Sequence, residues 1–201
     1  MRYILGAAML FAGVMMPAPA IAQQADTAAA VQQLESSRDR LLAAIEGMSE
    51  EQWQFRESEE RWSAQQIVEH LALSEDYFFG LITEQVMKTP RRSEPLPDAV
   101  AADREIMAMV SDRSRQFQAA EPLRPNRNFA TPREAVDHFW TARARTLEFA
   151  RNTPDLRLYA MSFMGGPDWD AVQWLTFVAG HTVRHTAQLQ QVKDHPGFPS
   201  G

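Results

Sequence analysis

Residues 179–192, AGHTVRHTAQLQQV, set His181 and His185 four positions apart in a run whose other members read as the buried stripe of a helix. At about 100° per residue, that spacing leaves the two side chains roughly 40° apart and one turn along, with Cβ atoms about 6 Å from each other. Such a pair can hold one metal ion from one side. It is not a site by itself, because an HxxxH pair is a loose signal and a catalytic zinc usually takes three protein ligands and a water. His70 is the third candidate: it stands three after Ile67, at the edge of an apolar stripe that continues through Leu71, Phe78 and Ile82. Three buried imidazoles without a common partner would leave ring nitrogens unsatisfied at about 1–3 kcal/mol each, and a shared cation would answer all of them. Of the other two histidines, His138 lies about 200° round from Val136, at the surface or a helix contact, and His195 sits in the tail; both are left out.

Hydrolysis also calls for a general base. The glutamate of an HExxH motif is absent, since position 182 is Thr. Glu69 points about 100° away from His70 and reads as surface. Glu75 and Asp76 read either as outer-sphere groups or as a solvated helix face, so no base is assigned. Asp170 and Arg184 fall off the stripe of the last helix and are expected in solvent; so are Arg143 and Arg145, with recognition of an anionic substrate by the three arginines as the alternative. Trp62 is explained by a helix-entry staple and Trp140 and Trp174 by core packing, while Trp53 and Trp169 sit near helix starts where they could rim a pocket.

The elements that must position these residues are helical. A first pattern over 26–47 places Val31, Leu34, Leu41, Ile45 and Met48 on one face. In WSAQQIVEHLALSE, Ser63 and Gln66 form a capping box, with Trp62 and Ile67 as a hydrophobic staple, so a second helix starts at Ala64 and runs to about Met87, short of Pro90. A weaker pattern covers 98–117 through Ile106, Val110 and Phe117. Thr131, Pro132 and Glu134 then supply an N-cap, a first-turn proline and a reciprocal carboxylate for a helix to about Arg151, with Val136, Trp140, Ala144 and Leu147 inward. Gly165, Gly166 and Pro167 make a turn, with Pro167 opening the last helix, which runs to about Lys193 through Ala171, Trp174, Val178, His181, His185, Leu189 and Val192. No alternating run is long enough for a sheet, which predicts an all-α, single-domain helical bundle.

Composition narrows the chemistry. The chain has 201 residues, 45% of them apolar, with a net charge of −6 and no cysteine. That suffices for one domain with a real core. The acidic balance argues against a nucleic-acid partner, and without cysteine any metal is held by His, Asp or Glu. The start, MRYILGAAMLFAGVMMPAPAIAQQ, has Arg2, an apolar run from Ile4 to Met16 and a small-x-small Ala20-Ile21-Ala22, which predicts a signal peptide over 1–22 and export, to the periplasm, of a domain spanning 23–201. The apolar run is short for a membrane span of about 20 residues, and no other stretch comes close, so no membrane association is expected after cleavage.

The segments WSAQQIVEHLALSE and GHTVRHTAQLQQV, in this order and this far apart, resemble the DinB-like (DinB/YfiT) superfamily over about Gln32 to Val192. The resemblance implies a four-helix bundle in an unusual chain order, with the 98–117 pattern as an accessory connecting helix. It also implies a divalent metal, zinc or nickel, on His70, His181 and His185, and a homodimer. Family members act on cytosolic thiols such as bacillithiol, mycothiol or glutathione, and the predicted leader departs from that setting. The expected function is that of a metal-dependent hydrolase or thiol-dependent transferase acting on a small-molecule substrate. The alternative is a non-catalytic exported bundle binding a metal or an apolar ligand. A non-covalent haem is a third reading, with no CxxCH to carry a covalent one.

Overall fold

The computed structural model describes residues 18–114, 117–162 and 165–200, with side chains from Thr27 onward. The apolar run of the predicted signal peptide lies outside the described residues. Six helices follow: α1 (Ala18–Ile45), α2 (Glu50–Gln54), α3 (Ala64–Glu84), α4 (Ala99–Ser111), α5 (Pro132–Asn152) and α6 (Ala171–Lys193). No helix among the described residues is long and apolar enough to cross a membrane.

The long helices α1, α3, α5 and α6 form a four-helix bundle. Contacts run α1 to α6, α6 to α3, α3 to α5 and α5 back to α1, so the successive helices α1 and α3 face each other across a diagonal, as do α5 and α6. Helix α4 is the accessory element and docks on α6. It closes there because position 180 is glycine. A Cβ at Gly180 would collide with Val110 Cγ1 and stand 3.1 Å from Met107 Sδ. Gly180→Ala would gain about 1 kcal/mol of helix propensity but cost about 1–3 kcal/mol in overpacking. The expected net result is a melting temperature lower by about 2–4 °C, read by calorimetry, since about 1 kcal/mol shifts a chain of this size by that much; an unchanged or higher value contradicts so close a docking.

Caps set the helix starts. Ser63 Oγ accepts from Gln66 N at 3.3 Å while Ser63 N donates to Gln66 Oε1 at 3.0 Å, the reciprocal pair expected at α3. At α5, Thr131 Oγ1 accepts from Glu134 N at 3.2 Å, but Glu134 Oε2 takes the amide of Ala130 rather than of Thr131. The start of α6 corrects the sequence reading: Pro167 does not open it. Residues Asp168–Asp170 (β2) instead pair antiparallel with Ala160–Ser162 (β1), a short ribbon that three-residue strands cannot announce by alternation, and Asp170 caps the helix in a box with Gln173. Asp170 is therefore fully buried, not solvated, and receives two hydrogen bonds of 3.1 Å from Arg157. Burial alone would lower the Arg157 pKa, but bonds and charge from Asp103 on α4 and from Asp170 outweigh it and keep the guanidinium charged.

Two apolar clusters fill the bundle, one around Leu34, Phe78, Leu147 and Trp174, the other around Leu41, Ile67, Leu71, Phe139 and Leu189. Between them runs a polar layer to which every long helix contributes. Arg143 of α5 donates to Leu34 O at 2.8 Å and Ser37 Oγ at 3.0 Å on α1, to Glu75 Oε1 on α3, and to Thr182 Oγ1 at 2.8 Å on α6. Thr146 donates to the other oxygen of Glu75 at 3.3 Å. The expectation of a solvated Arg143 is overturned, and with it the predicted face of α5. Its buried residues are Ala135, Phe139, Ala142, Arg143, Thr146, Leu147 and Ala150, whereas Trp140 is 47% exposed under the Arg38 guanidinium and Ala144 is at the surface. The weak pattern at 98–117 is likewise shorter than read: α4 stops at Ser111, and Phe117 lies beyond it, 67% exposed.

Candidate metal centre

Helices α3 and α6 lie side by side, and their contact brings His70, His181 and His185 together. One ligand-type atom from each lies within 4.8 Å of the others, and these three residues form the group of that kind among the described residues. The ring centroids are 5.0 Å apart for 70–181, 4.6 Å for 70–185 and 4.5 Å for 181–185. His70 Nε2 stands 3.3 Å from His181 Nε2. Two imidazole nitrogens bound tetrahedrally to one zinc at about 2.0–2.1 Å would lie about 3.3–3.4 Å apart, so the spacing suits a shared ion.

Two of the three outer nitrogens have the kind of partner that orients metal-binding imidazoles. His70 Nδ1 meets the Leu123 carbonyl at 2.6 Å, and His185 Nδ1 meets Gln188 Oε1 at 2.8 Å. Both partners are acceptors, so each Nδ1 carries the proton and each Nε2 keeps its lone pair. Burial lowers the pKa of all three rings, against the Leu123 bond for His70, with the charges of His185 and His70 adding to it for His181, and to about 3 for His185. All are neutral at pH 7, the form that binds a metal. The walls are aromatic: Trp62 lies 4.9 Å from the His70 ring and 6.2 Å from the His185 ring, and Phe177 stacks 6.0 Å from His181. Trp62 thus covers the histidines besides packing at the start of α3.

The segment that supplies the Leu123 carbonyl is held by the neighbour of His70. Glu69 is 1% exposed, contrary to its reading as a surface residue. Its Oε1 accepts from Asn126 N at 2.9 Å and from Asn128 N and Nδ2 at 2.8 Å each. Between those amides Arg127 adopts the left-handed region at φ 61°, which curls the two N–H groups around one oxygen as a backbone nest. Residues 69 and 70 therefore fasten the same crossing, one by its carboxylate and one by its ring. Glu69→Ala would strand these donors at about 1–3 kcal/mol. Faster proteolytic cleavage within 119–130 and about tenfold weaker zinc binding are expected, the scale on which outer partners of metal ligands act; unchanged cleavage and affinity would contradict this role.

The two acids next along α3 are engaged away from the histidines. Glu75 is committed to Arg143 and Thr146, and Asp76 pairs at the surface with His138 Nε2 at 2.6 Å and Arg145 Nη2 at 2.8 Å. Arg184, expected in solvent, is 8% exposed and donates to the Asp112 carbonyl. Trp53 lines a shallow groove of about 530 Å³ with Leu42, Ile45, Arg133 and Val136, which contains none of the three histidines; Trp169 is buried against Trp174. Of the outer partners, Gln188, three residues after His185, was within reach of helical spacing; Leu123 and the nest depend on a crossover that no local pattern encodes.

A diagonal four-helix bundle with three imidazoles brought together between its second and last long helices defines a class of helical fold with a group that could hold a metal ion. The chain belongs to the DinB superfamily, whose family model matches residues 33–189. It is also similar in structure to YfiT from Bacillus subtilis, described as a probable metal-dependent hydrolase with an unusual four-helix bundle topology, at a TM-score of 0.54 and 16% identity over 86% of this chain and 89% of that one. No curated protein matches the chain significantly.

Proposed function

We propose that the protein is an exported, metal-dependent hydrolase in which Nε2 of His70, His181 and His185 hold one divalent ion, zinc or nickel, with coordination positions left open. The observation that carries this reading is the donor set: three neutral imidazoles with one ligand atom each within 4.8 Å of one another, two of them oriented by acceptors on their far nitrogens, with no fourth carboxylate or histidine in the group among the described residues. A structural zinc site is closed by four ligands, whereas three leave room for substrate. A divalent ion held there supplies Lewis acidity, polarising a carbonyl or lowering the pKa of a coordinated water or thiol. The chain's own part is to keep the imidazoles neutral by burial, to fix their rings through Leu123 and Gln188, and to exclude water with Trp62, Phe78 and Phe177. The metal-dependent hydrolase description of YfiT supports the choice of reaction, and the predicted leader supports it further by removing the protein from cytosolic thiols.

Thiol-dependent transfer is the second reading, favoured by one observation: Glu69, Glu75 and Asp76 are each engaged away from the histidines, and a thiolate formed at a metal requires no protein base. Activated esters such as p-nitrophenyl acetate, assayed on zinc- and nickel-loaded protein with and without a thiol, separate the two. Thiol-independent release that chelation abolishes supports hydrolysis; release only with thiol supports transfer, and no metal-dependent release in either case removes the catalytic reading.

A further inference from the structure

Although the chain as a whole is acidic, Arg61, Arg113 and Arg184 lie near one another, with Arg113 and Arg184 close enough for their charges to act on His185. Arg184 immediately precedes His185, with its Cζ 5.2 Å over the Phe117 ring, and Arg61 immediately precedes Trp62, which covers the centre. Arg113, just past the end of α4, reaches across to α6, where Nη1 donates to the Arg184 carbonyl at 3.5 Å and Nη2 to Gln191 Oε1 at 2.7 Å. Arg61 is balanced by Glu57 at 3.3 Å, and Arg184 lies beside Asp112. Arg113 has no carboxylate within ion-pair distance among the described residues. Two of its five N–H groups are used in the two bonds above, and its Nε is buried without an acceptor. A half-buried cation facing two others, only partly offset by the charge of Glu57 and with two terminal N–H groups to spare, is a cost to the fold that an oxyanion would relieve, and arginine's planar fork matches carboxylate and phosphate geometry.

We propose that Arg113 is an oxyanion-recognition residue, which binds a carboxylate or phosphate group of the substrate while another part of that substrate reaches the three-histidine centre. This rests on the metal-centre reading for what the second part does, though the anion site itself does not need the metal. Burial, followed by the charges of Arg184 and Arg61, lowers the Arg113 pKa, as expected where like charges are held together. The residue would set specificity, favouring small anionic substrates over neutral ones.

The test uses inorganic phosphate as the probe, titrated calorimetrically into the full chain, both metal-free and zinc-loaded. Wild type is expected to bind phosphate saturably in both forms. Arg113→Gln should weaken that binding at least about tenfold and Arg113→Lys by less, since lysine keeps the charge but loses the fork, with zinc affinity unchanged in both variants. Absence of saturable phosphate binding by wild type, or equal binding by Arg113→Gln, overturns the proposal. Should Arg113→Gln melt early, Arg113→Lys carries the test: wild-type phosphate affinity together with wild-type stability in that variant would also overturn it. Failure of zinc to bind wild type, with phosphate binding still dependent on Arg113, would remove the metal reading and leave the anion site standing.

Discussion

Arg143→Met is expected to destabilise the protein by about 3–5 kcal/mol, the range in which removing one member of a buried ion pair falls. Arg143 is fully buried, and its four partners come from the three other long helices. Methionine fills the volume but leaves the buried Glu75 carboxylate with only the Thr146 hydroxyl, and it takes the guanidinium from Ser37, Thr182 and the Leu34 carbonyl, which keep only local bonds, Ser37 Oγ to Leu34 O at 3.1 Å and Thr182 Oγ1 to Val178 O at 3.2 Å. Adding Glu75→Gln replaces the stranded carboxylate by a neutral amide and should recover about 1–2 kcal/mol of the loss. Urea unfolding of wild type, single and double variants measures both numbers. A single variant within about 1 kcal/mol of wild type would show that the polar layer does not lock the four helices together.

His181→Ala is expected to weaken zinc binding at least about 100-fold, because loss of an outer partner alone costs about 10–100-fold and His181 is a ligand in this account. His138→Ala is the control. That histidine is 41% exposed and pairs with Asp76 on the bundle surface, so its loss should leave zinc affinity unchanged. Equal losses for the two variants, or none for His181→Ala, would mean that zinc sits elsewhere.

Much of this architecture was legible from local signals. The start of α3, the stripe of α6 and the three histidines follow from capping boxes and helical spacing, because those signals reside within a few consecutive residues; the end of α3 does not, since the helix stops at Glu84 rather than near Met87. What was illegible depends on charges buried against distant partners. Reading Arg143 as solvated turned the predicted face of α5 towards Trp140, since a buried arginine is intelligible only once Glu75 of α3 is placed opposite it. Glu69 was misread for the same reason: its donors lie on a loop 57 and 59 residues further along the chain. Asp170 and Arg184 failed likewise, being satisfied by Arg157 and by the Asp112 carbonyl. The ribbon before α6 escaped notice because two strands of three residues carry no readable alternation.

The most direct test of the metal centre is a cobalt titration of purified wild-type protein followed by visible absorption. One equivalent per chain is predicted, with the intense bands of a low-coordinate site and full displacement by zinc. Retention of less than about a tenth of an equivalent of cobalt under conditions that saturate zinc sites in general, or the weak bands of a fully hydrated ion, would contradict the convergence of His70, His181 and His185 on a bound metal.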